Sequence, residues 1–70
     1  MDPIDIQYAL KKRRINQVII ARETGVSAMT VSKVIHGKLR TICVMENISE
    51  KLGKSPQEVF EKYPAKVGNQ

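Results

Sequence analysis

Cysteine is nearly missing from this chain. Cys43 is the only one in 70 residues, so no internal disulfide can form. A lone thiol fits a reducing compartment. Cys43 is expected as a small buried or half-buried side chain without a redox role. Histidine is as scarce, with His36 alone, so no Cys/His set has zinc spacing and no metal is expected. No glycine-rich loop could cradle a phosphate, and no acid pair suggests a catalytic cleft. Together these absences argue against an enzyme and against a cofactor. No apolar run approaches the roughly 20 residues of a membrane span, and no signal peptide is visible. The expectation is a soluble, cytoplasmic chain with no membrane partner and no small-molecule ligand. Strand candidates, repeats and low-complexity segments are also lacking.

One further absence is local. Residues 26–41 hold Lys33, Lys38 and Arg40 and no acid. The whole chain has 12 Lys+Arg against 7 Asp+Glu, a net charge of +5. Residues 1–25 carry five bases and three acids, and residues 42–70 carry four of each. The excess therefore sits on and before residues 26–41. Clustered positive charge of this kind suits a phosphate backbone, although small helical proteins are also basic simply for solubility.

What the chain does have is the stretch 17–37, QVIIARETGVSAMTVSKVIHG. An alanine stands fifth, a glycine ninth, and an apolar residue follows the glycine. Ala21 fits where two helices cross closely. Gly25 suits a left-handed helix end. Val26 tucks the turn inward, and Ser27 can cap the next helix. The spacing predicts two short helices meeting at a tight turn, a helix-turn-helix, the unit that sets a helix into the DNA major groove. On the second helix, roughly 28–36, residues advance about 100° per step. Val31, Val34 and Ile35 fall on one side. Met29, Ser32, Lys33 and His36 fall nearly opposite, at spacings i, i+3, i+4 and i+7. The first side reads as core and the second as a reading face.

Five helices are expected in all. Asp2 and Pro3 open the first, with Asp5 placed to reach back. Ile6 and Leu10 form its inner stripe, and Lys11–Lys12–Arg13–Arg14 end it, as a solvated face first and an aid to DNA binding second. Asn16 caps helix 17–24, with Ile15 and Ile20 as a hydrophobic staple. Gly37 stops the third helix before a basic loop, Lys38–Leu39–Arg40. Thr41 caps a fourth helix to Leu52, whose inner stripe is Ile42, Met45, Ile48 and Leu52, and Gly53 closes it. Ser55–Pro56–Gln57–Glu58 starts a fifth helix. Val59, Phe60 and Tyr63 line it, as core first and as dimer contacts second, and Pro64 ends it. This makes one all-α domain over 1–63 with a mobile tail at 64–70.

Gln17, Ala21, Gly25, Val26, Ser27, Val31, Val34 and Gly37 resemble the lambda-repressor-like family of the Cro/repressor or XRE type. The resemblance continues through Ile42, Met45, Ile48, Leu52, Gly53 and SPQEVF at 55–60, and covers roughly residues 4–62. The ending EKYP is also similar to Ner-type phage regulators. The resemblance implies a five-helix domain that binds double-stranded operator DNA as a homodimer. By position it implies base contacts from Ser27, Ala28, Met29, Thr30, Ser32 and Lys33. It implies phosphate contacts from Asn16, Gln17, His36, Lys38 and Arg40. Two departures stand out. Ala28 and Met29 replace longer polar groups and suit thymine methyls, which leaves Lys33 for guanine. Arg14 stands where relatives often have glycine, which implies a differently shaped first corner.

The expected function is therefore a sequence-specific transcriptional regulator, a repressor of phage or bacterial type. A protein-interaction module using Met29 and Phe60, antitoxin-like or a corepressor subunit, is the alternative from another class. A non-specific architectural DNA binder is the third.

Overall fold

Three of the helix ends are closed by glycine and a fourth by an arginine in glycine's conformation. A computed structural model of the protein describes residues 1–60. Over that span the chain is all-helical and contains five helices. They are α1 (Pro3–Lys12), α2 (Gln17–Thr24), α3 (Ala28–Ile35), α4 (Ile42–Leu52) and α5 (Pro56–Val59). Among the described residues there is no strand, and no helix is long and apolar enough to cross a membrane.

The local signals explain most boundaries. Asn16 Oδ1 accepts the Ile19 N–H at 2.9 Å and starts α2. Gly25 ends it at φ 78°, with its N–H donating to the Ala21 carbonyl at 2.8 Å. Ser27 Oγ accepts the Thr30 N–H at 3.1 Å and starts α3 only two residues later. At the other end of α3, the Gly37 and Lys38 N–H groups reach back to the Val34 and Lys33 carbonyls. That pair of bonds folds the following loop onto the helix end. Glu58 accepts from the Ser55 N–H at 3.0 Å, which is the reaching-back half of a capping box.

Two expected caps are conformational only. Asp2 and Thr41 take extended cap backbones, but neither side chain makes a capping bond. Pro3 fixes the first turn of α1 without that help.

The first corner keeps a glycine-like shape without a glycine. Arg14 adopts φ 59°. The Arg14 N–H donates to Lys11 at 2.9 Å, and the Ile15 N–H donates to Leu10 at 2.9 Å. The resemblance implied an altered corner at Arg14. Instead the arginine takes on the left-handed backbone itself, at a cost of order 1–2 kcal/mol.

The helices bury one continuous core. It takes Ile6 and Leu10 from α1, Ile20 and Ala21 from α2, and Val31, Val34 and Ile35 from α3. Val44, Met45, Ile48 and Leu52 come from α4, and Val59 and Phe60 close it. The α2 helix packs on α3 and α4, α1 packs on α3 and α4, and α5 packs on α4. Ala21 is 6% exposed at the crossing of α2, as its small size requires. Ser49 is the one buried polar side chain among the described residues. Its Oγ donates to the Met45 carbonyl at 2.8 Å, so its burial leaves no orphan hydroxyl.

Three expectations need correction. Val44 is fully buried, whereas Ile42, placed in the inner stripe of α4, is only partly so. Cys43 is exposed, because on the wheel of α4 it falls nearly opposite Ile48. The α5 helix stops at Val59, well before Pro64. Phe60 turns extended at φ −120°, ψ 112° and drops its ring into the core. Tyr63, Pro64 and the tail 64–70 lie outside the described residues.

Candidate nucleic-acid interface

The outward side of α3 follows from its inward side. With Val31 and Val34 fully buried and Ile35 nearly so, the residues opposite them must face solvent. Met29 is 67% exposed, and Lys33 and His36 are exposed one and two turns further on. These three make the ridge that the spacing predicts. Ser32 lies beside it, half-buried.

The first turn of α3 is less free. Ser27 Oγ and Thr30 Oγ1 lie 3.0 Å apart in a mutual hydrogen bond, and Ser27 also holds the cap. Each hydroxyl keeps some capacity for a base edge, but both are already oriented by the helix start. Ala28 is half-buried and packs against the core. Of the six expected base-contact positions, Ser27, Met29 and Lys33 are exposed. Thr30, Ser32 and Ala28 are half-buried.

His36 is held as well. Its Nδ1 lies 2.8 Å from the Ser32 carbonyl oxygen. A carbonyl only accepts, so Nδ1 carries the proton and donates. Nε2 takes no part in that bond, and is an acceptor in the neutral ring and a donor in the protonated one. Only the protonated ring donates to a phosphate oxygen from that atom.

Basic groups gather around the C-terminal end of the ridge. Lys38 and Arg40 are exposed in the loop that Gly37 folds back at φ 79°. At the start of α2, Asn16 and Gln17 line an open cleft of about 590 Å³. Gln7, Lys11, Arg14 and Ile35 line the same cleft. The end of α1 is thereby brought to the start of α2 and the end of α3. The sequence reads Lys11 and Arg14 as a solvated run first and an aid to DNA binding second. The structure sets both beside Asn16 and Gln17, and the KKRR run was the signal available. The Asn16 carbonyl oxygen is engaged in the α2 cap, and its amide nitrogen takes no part in that bond.

Two of the three expected dimer contacts do not stand at the surface, and the third, Tyr63, lies outside the described residues. Val59 is fully buried and Phe60 is 7% exposed, so neither offers a side chain to a second copy. Phe60 forms part of the wall of a smaller groove of about 250 Å³ with Met1, His36 and Arg40. Met29 is not among its lining residues, so the Met29 and Phe60 surfaces of the protein-interaction reading do not form one site. Among the described residues no group of His, Cys, Asp and Glu could hold a metal ion. Compared with known proteins, the chain matches no family model, no curated protein and no solved structure.

Proposed function

We propose that this protein is a sequence-specific DNA-binding transcriptional regulator with a lambda-repressor-like arrangement, a repressor of the phage or bacterial type. The observation that carries the reading is the exposed Met29–Lys33–His36 ridge of α3, free of acids and bordered near its C-terminal end by Lys38, Arg40, Lys11 and Arg14. A helix of this size enters the major groove with its outer side chains on base edges. Lys33 donates to guanine O6 and N7, and Met29 packs on a thymine methyl. Lys38, Arg40, Asn16 and Gln17 take phosphates. The bases supply affinity by counterion release, and the ridge supplies sequence preference. Two copies on a two-fold operator place half-sites about one helical turn, roughly 34 Å, apart.

Selection of bound duplexes from a random pool tests this. A single motif with mirrored halves is the expected result. Equal retention of all sequences would reduce the protein to an architectural binder. Retention of none would remove the DNA reading.

A further inference from the structure

The outer face of α1 carries two large apolar side chains that nothing among the described residues covers. Ile4 is 77% exposed and Tyr8 63%. They stand one turn apart, on the side of the helix opposite the buried Ile6 and Leu10. A single exposed apolar residue is ordinary, but an adjacent pair on the outer line of an otherwise polar helix marks a contact surface.

Charge identifies the occupant. At about 100° per residue, Asp5 and Lys12 fall on the same flank of the Ile4–Tyr8 ridge, at its two ends. Lys12 is already drawn onto the ridge, with its ammonium 5.4 Å from the centre of the Tyr8 ring. The helix start carries Asp2 and Asp5, and its end carries Lys11, Lys12, Arg13 and Arg14. An antiparallel copy of the same helix reverses that order. A two-fold axis beside Tyr8 then sets Asp5 against the partner's Lys12, and Lys12 against the partner's Asp5. Tyr8 meets the partner's Tyr8, and Ile4 packs on the aliphatic stems at the far end. The surface is complementary to itself, as an isologous interface requires.

We propose that the Ile4–Tyr8 face of α1 is a self-association surface that takes a second copy of this chain, antiparallel and about a two-fold axis. Its size sets its strength. Stable dimers bury about 800 Å² per partner, and two apolar side chains with their flanking stems fall short of that. The dissociation constant is therefore on the order of 0.1–1 mM. The contact does not depend on the DNA reading, since it uses no residue of α3.

Sedimentation equilibrium of the full chain, without DNA and up to millimolar concentration, tests the proposal. The mass should rise from one copy toward two with increasing concentration, and Tyr8→Ser should remove the rise. Asp5→Lys and Lys12→Asp each place like charges together twice, and each should weaken association by about tenfold. Mixed in equal amounts, the two variants should regain it, because both pairs are then opposite in sign. Misfolded chains would not recover on mixing, so the mixture also controls for folding. A mass of one copy throughout would overturn the proposal. So would association that Tyr8→Ser leaves intact, or a mixture no stronger than its components.

Discussion

Nζ of Lys51 lies 2.7 Å from Oε1 of Glu23, joining α4 to α2. The same carboxylate oxygen accepts from Asn47 Nδ2 at 3.1 Å. The bond from Lys51, and after it the bond from Asn47, holds the Glu23 carboxyl below its ordinary value of 4.5. A carboxyl depressed in the folded state stabilises the fold above its unfolded value and loses that contribution as pH falls through the folded value. Glu58, held down chiefly by the Ser55 backbone N–H, acts in the same direction. The melting temperature should therefore hold from pH 7 to about 5 and fall below about pH 4.5. Glu23→Gln should make that fall shallower while leaving its position unchanged. Thermal melts followed by circular dichroism across pH 3–7 check this, and an identical pH profile in the variant would contradict it.

Arg14 combines strain with charge. Replacing it by glycine relieves the left-handed backbone and should raise stability by about 0.5–1 kcal/mol. The same change removes a cation from the cleft beside Gln17. DNA affinity should fall and the slope of log K against log salt should flatten by about one contact. Urea melts and a salt series on one duplex measure the two effects. A variant that loses stability would contradict the account of the corner.

Gly25 sits at φ 78°, and a β-carbon built there meets nothing within 4 Å. Gly25→Ala should therefore cost only the backbone preference, about 1–2 kcal/mol. The variant should still fold and still bind DNA. A loss of several kcal/mol would mean that the turn is held by contacts other than its own conformation.

Lys33 and Arg40 are assigned different work. Lys33→Ala should erase preference at one base pair, worth about 1–3 kcal/mol of discrimination. Arg40→Ala should weaken all duplexes alike and reduce the salt slope. Competition titrations against single-base operator variants separate the two. Equal behaviour of both variants on specific and random duplexes would contradict the division.

The parts of this fold that local chemistry decides were legible in the residues. Asn16, Gly25, Ser27 and Gly37 act within one turn of themselves, and each does what its side chain or lack of one dictates. The ridge of α3 was legible for the same reason, because three buried aliphatics leave only one direction for Met29, Lys33 and His36. Tertiary demands were less visible. Phe60 leaves α5 because burying its ring outweighs one more turn of helix, and no local stop signal precedes it. Arg14 adopts a backbone its type disfavours because the Leu10 and Lys11 carbonyls must be capped. Cys43 shows the opposite failure. Its place on the wheel of α4 pointed outward, and the usual burial of cysteine pointed inward. The position, not the residue type, decided.

The most direct test follows backbone amide signals of the labelled protein during titration with the selected duplex. The account predicts that the largest shifts fall on Met29 through His36, on Lys38 to Arg40, and on Asn16 and Gln17, and that a random duplex of equal length shifts the second and third sets but not Met29 and Lys33. Shifts absent throughout, or confined to α1 and α4 away from that surface, would contradict it.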